Sequence, residues 1–335
     1  MGLPLDYFQP VPPRHLDRTG IERDNRLVEE IQALQREKGA FVLCHNYQKP
    51  EVHRVADAVG DSYGLSVAAK KAACDIIVFC GVRFMAETAH ILNPSKKVLL
   101  PEEMAGCGLA DTITGDDVRA WKARYPGKPV VMYINCSADV KAESDAICTS
   151  SNALHVVESI EGDPVLFGPD ANLANYVKQK AKKTVIPWDG YCPVHRAVTR
   201  EMLEKTLELF PDAVVIVHPE CNPDVVDLAD EVLSTSQMLE AIQRRPEKKF
   251  VVGTEIGLIQ KAQELCPDKE IHPIYRHKSC DQSCACPYMK VTGLRSVLRS
   301  LQNETCVITV PEETRLRALR AVNKMLEIGL PKPQS

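Results

Sequence analysis

The sequence has no excess of basic charge: 41 Lys and Arg stand against 45 Asp and Glu, for a net charge of −4. A chain without a basic field is a poor partner for nucleic acid or for an anionic membrane surface. No apolar run approaches the ~20 residues that a membrane-spanning helix needs, so no span is expected. The first residues, Met1-Gly-Leu-Pro-Leu-Asp6, lack a basic segment followed by a long apolar one, and Gly2 lacks the Ser/Thr context of a myristoylation site. A cytoplasmic location is the expectation. The 13 cysteines do not suit a disulfide framework either. Their number is odd and no secretory leader is expected, so they read as reduced thiols available for metal or for packing.

What the chain does have is an internal repeat. Three apolar runs end in a polar residue with another two places on: His45 and Tyr47, Tyr133 and Asn135, His218 and Glu220. Val52, Val140 and Val225 lie at one common spacing beyond these, and the hydroxyl residues Ser62, Ser150 and Thr235 at another. Gly81, Gly168 and Gly253 follow, each after a second apolar run. A period of about 85 to 88 residues in a chain of 335 calls for three related units rather than one core. At 44% apolar and 26% charged, the composition is that of a soluble globular protein.

The units are expected at 40–118, 119–205 and 206–305, preceded by an N-terminal arm and helix, 1–39, and followed by a C-terminal helix, 306–335, that packs back on the body. Leu27, Val28, Ile31 and Leu34 share a face of a helix predicted from Asn25 to Lys38, with Gly39 as its C-cap. Leu316, Leu319, Val322 and Leu326 make the stripe that should dock the last helix. Each unit reads strand, helix, strand, helix, strand, which indicates parallel sheets covered on both faces. The expected fold class is therefore α/β: three pseudo-three-fold-related α/β/α domains, each a short parallel sheet flanked by helices, around a central active site.

In such sheets ligands bind beyond the carboxyl ends of the strands. The six polar residues of the repeat sit there and point one way, because side chains repeat every two residues. Ser62, Ser150 and Thr235 are each predicted to open a helix, whose free N–H groups and dipole attract anions. Ser and Thr are also ordinary N-caps. Three at one spacing favour a shared site for a substrate set carrying about three anionic groups.

Each unit also delivers a cysteine after its third strand: Cys107, Cys192, and one of Cys280, Cys284 and Cys286. Three separated thiolates suit a [4Fe–4S] cluster with one iron left without a protein ligand, or an open zinc site. The tight group is Cys-x₃-Cys-x-Cys, one residue short of a radical adenosylmethionine motif. Spacing selects Cys280, whereas the Cys-Pro pair shared with Cys192 selects Cys286. Cys280 and Cys284 are close enough for a reversible disulfide. The other cysteines read as small buried hydrophobes or wall residues.

The segments His45-Asn-Tyr47, Gly60-Asp-Ser62, Gly81-Val-Arg-Phe-Met-Ala-Glu, Tyr133-x-Asn135, Thr149-Ser150-Ser, Gly190-Tyr-Cys192-x-Val-His195, His218-Pro-Glu220, Ser234-Thr-Ser-Gln and Cys286-Pro-Tyr-Met resemble quinolinate synthase, the iron–sulfur enzyme of NAD biosynthesis. The resemblance implies condensation of iminoaspartate with dihydroxyacetone phosphate to quinolinate, phosphate and water, with the cluster as Lewis acid. It implies Cys107, Cys192 and Cys286 as cluster ligands. Glu220 would be the general base, Tyr47 the acid or proton shuttle, and His218 a further catalytic group. His45, Ser62, Tyr133, Asn135, Ser150, His218, Glu220 and Thr235 would bind substrate. An L-aspartate oxidase or dehydrogenase is the kind of partner that would supply the unstable iminoaspartate. Arg83, Lys49 and His195 could face the site or could equally make surface or interdomain pairs, and they are not counted in it. Two other readings of the residues stay open: another [4Fe–4S] hydro-lyase, and a non-catalytic iron–sulfur or zinc sensor of a dicarboxylate.

Overall fold

Thirteen strands form three sheets in the computed structural model, which describes residues 18–274 and 285–331. The proline-rich segment 1–17 lies outside the described residues, as do Cys280 and Cys284 with their disulfide and ligand alternatives. The first sheet holds β1 (Ala40–His45), β2 (Ala58–Gly60), β3 (Ile76–Cys80) and β4 (Lys97–Leu99). The second holds β5 (Val130–Tyr133), β6 (Ala146–Cys148), β7 (Val165–Gly168) and β8 (Val185–Pro187). The third holds β9 (Val214–Val217), β10 (Glu231–Val232), β11 (Lys249–Gly253) and β12 (Glu270–Pro273). All pairings among these twelve are parallel, and in each sheet the strand order is second, first, third, fourth. β13 (Val307–Ile308) adds an antiparallel edge to β4.

All nine predicted strands are present. The second strand of each unit is new, because it is too short to show in an apolar pattern. Helices cover both faces, which is why β3, β5, β7 and β9 are buried along their whole length and read as continuous apolar runs.

An aspartate knot at the surface repeats in all three units. The carboxylates of Asp57, Asp145 and Asp230 accept the backbone N–H of Val42, Val130 and Val215 at 2.7, 2.8 and 2.8 Å. Each aspartate returns its own N–H to the carbonyl of the same valine. This two-way bond closes the turn between the first and second strands, so the units share local construction as well as strand order.

The first helix runs Arg18–Lys38 and starts earlier than the predicted Asn25, taking in residues 18–20 of the expected N-terminal arm. It ends where Gly39 takes φ +59°, a left-handed value that favours glycine. Ile31 and Val28 are buried against the first sheet. The helix Leu294–Asn303 follows the third sheet in the chain, yet its Leu294, Val297 and Leu301 pack into that same cluster. The chain thus returns to the first sheet after visiting the third.

The last helix, Glu312–Ile328, docks on the helix Ala138–Ala142 and on β6. Its buried face is centred on Ala318, Ala321, Val322 and Met325; of the predicted stripe Val322 is buried, Leu319 and Leu326 pack at the edge of the core, and Leu316 is 48% exposed. The alanines bring the helix close to its neighbour, and Arg315 is buried beside them. Arg315 donates to the Ile91 carbonyl at 3.2 Å and pairs with Glu312.

Candidate active site

The carboxyl ends of the three sheets open onto one cavity of about 80 Å³, room for several waters or a small ligand. All twelve site residues expected from the sequence line it: His45, Tyr47 and Ser62 from the first unit, with Cys107; Tyr133, Asn135 and Ser150 from the second, with Cys192; His218, Glu220 and Thr235 from the third, with Cys286. Arg83 and Lys49 are not among the lining residues, whereas His195 is.

Two strand ends use the same turn. The backbone N–H of Tyr47 donates to Nδ1 of His45 at 3.1 Å, and that of Glu220 donates to Nδ1 of His218 at 3.3 Å. A backbone N–H can only donate, so Nδ1 must be the bare nitrogen and the proton sits on Nε2. Burial reinforces this by pushing both imidazoles down to about 3. Both rings are therefore neutral donors, aimed at whatever fills the cavity. His218 Nε2 lies 3.2 Å from the Ser150 hydroxyl.

Glu220 is the centre of the polar wall. Its Oε1 accepts the Tyr133 hydroxyl at 2.6 Å, and its Oε2 lies 2.9 Å from His195 Nδ1. Burial alone would raise this carboxyl, but His195, His218 and Tyr133 overcome it and hold Glu220 well below the ordinary carboxylate range. Burial, followed by the Glu220 charge, keeps the Tyr47 and Tyr133 phenols far above their usual value, so both carry their protons. Thr254 joins the ends of the array: its hydroxyl lies 2.7 Å from Tyr47 Oη and 3.0 Å from His195 Nε2. A hydrogen-bonded path thus runs Tyr47, Thr254, His195, Glu220, Tyr133 across all three units. Asn135 Oδ1 is buried without a partner in the same wall and is an acceptor awaiting a donor.

The helix-terminus expectation holds in two units. Ser62 and Thr235 are the first residues of the helices Ser62–Lys71 and Thr235–Arg244. Ser150 is not: its helix begins at Ala153 after Asn152, and Ser150 lies in the preceding turn, facing His218. In the first unit the cap is the Asp61 carboxylate, which accepts the Gly64 N–H at 2.8 Å. Behind Thr235, Asn46 donates to the threonine hydroxyl at 3.1 Å and accepts from Lys261 Nζ at 2.9 Å. This places a cation just behind a wall that, among the described residues, has no Lys or Arg of its own.

The three cysteine loops interlock. A Cβ added to Gly108 would lie 3.2 Å from Pro193, and one added to Gly106 would lie 3.4 Å from Tyr288. The neighbours of Cys107 thus touch those of Cys192 and Cys286. All three thiols are free, and Cys107 feels the charge of Cys286 as Cys192 feels that of Cys107. Burial pushes Cys107 up to about 12, Cys286 to about 11 and Cys192 well above its usual value. Three crowded thiols that resist ionisation need a cation before they can act as thiolates, which is the chemistry of a metal or cluster site. The donor set fits a three-cysteine cluster. A second donor set, Cys192, His195 and Glu220, has ligand atoms within 4.8 Å of one another.

His195 went unassigned because a single histidine reads as a structural residue. A signal was present: His195 and Met289 both stand three places after a Cys in Cys-Pro-x-x, and both line the cavity on short helices, Pro193–Arg196 and Pro287–Lys290.

Fold and site together define an α/β enzyme whose active site lies where three parallel sheets meet, with a thiol corner suited to metal. The chain belongs to the family described as Quinolinate synthetase A protein, which matches residues 29–327. It is 47% identical over 305 residues to a quinolinate synthase of Thermodesulfovibrio yellowstonii, covering 91% of this chain and 99% of that one. It is 48% identical over 299 residues to one of Dehalococcoides mccartyi (89% and 97%) and 46% identical over 306 residues to one of Alkaliphilus metalliredigens (91% and 99%). Among the described residues no helix is long and apolar enough to cross a membrane.

Proposed function

We propose that this chain is a quinolinate synthase that condenses iminoaspartate with dihydroxyacetone phosphate, releasing phosphate and water. One observation carries the reading: twelve motif residues from three separate units line one cavity, and three of them are thiols. Cys107, Cys192 and Cys286 would hold a [4Fe–4S] cluster. When bound, that cluster supplies a Lewis-acidic iron with no protein ligand of its own. An odd number of cysteines suits reduced thiols, and we place the protein in the cytoplasm.

The chain's own residues supply binding and proton movement. The Nε2–H groups of His45 and His218 and the hydroxyls of Ser62, Ser150 and Thr235 give neutral donors for two carboxylates and a phosphate. Neutral donors suit substrates that must leave again, because fully charged pairs would hold the product more tightly. Glu220, ionised and within the polar wall, takes the protons removed during isomerisation and ring closure. Tyr47, kept protonated, returns a proton to the departing oxygen. The Thr254 and His195 link lets the two exchange a proton without opening the cavity to water. An L-aspartate oxidase or dehydrogenase would supply the unstable imine.

The test is anaerobic purification, with iron, sulfide and visible spectrum recorded, and quinolinate assayed from oxaloacetate, ammonia and dihydroxyacetone phosphate. About four irons and product that vanishes in air are expected. Iron without product would point to another cluster-dependent hydro-lyase. Bound zinc without iron would favour the Cys192, His195 and Glu220 set and a sensor.

A further inference from the structure

Units two and three share a feature that unit one lacks. Two places after the glycine that ends the third-built strand stands a carboxylate: Gly168-Pro-Asp170 and Gly253-Thr-Glu255. Both side chains are fully buried. Asp170 Oδ1 accepts the Leu173 N–H at 2.7 Å and caps the helix Ala171–Lys180, while Oδ2 accepts the Cys192 N–H at 3.1 Å. Glu255 repeats the arrangement. Its Oε2 accepts the Gly257 N–H at 2.7 Å at the start of the helix Ile256–Leu265, and its Oε1 accepts the Cys286 N–H at 3.0 Å. Lys290 adds a second hold on Glu255 at 3.0 Å and reaches the Tyr47 carbonyl. In unit one the equivalent helix follows Val82, and the Cys107 loop is held by an Arg83 N–H to Ala105 carbonyl bond at 2.7 Å and by packing on the other two loops.

We propose that Asp170 and Glu255 are positioning residues that fix the backbones of Cys192 and Cys286 for a bound cluster. The proposal rests on reading these cysteines as cluster ligands. A carboxylate is required because each oxygen has its own N–H: one belongs to the helix, the other to the cysteine. An amide of the same size has one acceptor oxygen and an NH₂ group that cannot accept. Asp170→Asn or Glu255→Gln can therefore keep the cap or the tether, never both. Ser caps a helix about as well as Asp, so Asp170→Ser keeps the helix and gives up the tether.

The experiment compares wild type with Asp170→Asn, Asp170→Ser, Glu255→Gln and the remote cap variant Thr114→Ala, all purified without oxygen. Iron and sulfide content, the electron paramagnetic resonance of the reduced protein, the rate of iron loss to a chelator and the melting of the metal-free chain are measured. The tether variants should lose iron about ten-fold faster or more, with an altered resonance, as outer partners of metal ligands do. Thr114→Ala should melt earlier yet hold iron at the wild-type rate. Wild-type iron loss and resonance in Asp170→Ser, which gives up its tether outright, would overturn the proposal. So would Thr114→Ala shedding iron as fast as the tether variants do. A wild type that takes up no iron would overturn the cluster reading first, and this proposal with it.

Discussion

The two strand-end histidines show how a backbone can set the chemistry of a side chain. Each imidazole spends Nδ1 on the N–H two residues on, which leaves one proton and one direction for it. Glu220→Gln should keep the cluster absorbance and lose turnover by about 10²-fold or more, the range for losing a general base; steady-state assay beside the visible spectrum checks this. Thr254→Val removes the hydroxyl that bonds both Tyr47 and His195, leaving only their direct 3.4 Å contact, and it should lower kcat about ten-fold with KM little changed. Most of these residues were legible because the repeat marks them three times. Thr254 was not, since its role comes from contacts with other units, and His195 and Asp170 carry only signals shared by two units, Cys-Pro-x-x and Gly-x-carboxylate, which the three-fold repeat does not mark.

Among the elements, strands were easier to read than what joins them. The nine predicted strands are apolar runs bounded by Gly, Pro or charge. The second strands, such as Ala58–Gly60 and Glu231–Val232, are two or three half-buried residues and carry no pattern. The predicted stripe of the last helix lies at the edge of its buried face, with Val322 buried and Leu316 outside, because close helix contact selects the small residues Ala318 and Ala321. The aspartate knot could have been found: Asp57, Asp145 and Asp230 sit at one spacing after His45, Tyr133 and His218. The loops before the thiols are tight. A Cβ on Gly190 would lie 2.3 Å from the Thr112 hydroxyl and 2.4 Å from the Pro169 carbonyl. Gly190→Ala must move the Cys192 loop, so iron content should fall by at least half while the metal-free chain loses about 1–3 kcal/mol, as overpacking does; iron analysis and a denaturant melt would show it.

At the scale of the whole molecule, acid is the natural enemy of this fold. His45 and His218 stay neutral down to about 3, whereas an unfolded imidazole takes its proton near 6.5. The unfolded chain therefore binds more protons between those values. Their contribution is fully present above about 6.5 and is lost as pH falls toward 3. The depressed Glu220 carboxyl acts in the same direction below about 4.5. The melting temperature should drop steadily from pH 7 to pH 5, and His218→Gln should flatten the slope; calorimetry across that range decides it.

The interlocked loops have a consequence for how the molecule can be divided. Gly108 rests on Pro193, Gly106 rests on Tyr288, and each pair comes from a different third of the chain. No third owns a usable share of the chemistry. A fragment holding two of them would not be a slower enzyme but an open, two-thiol bowl, and damage anywhere along the chain would be felt at the same few atoms.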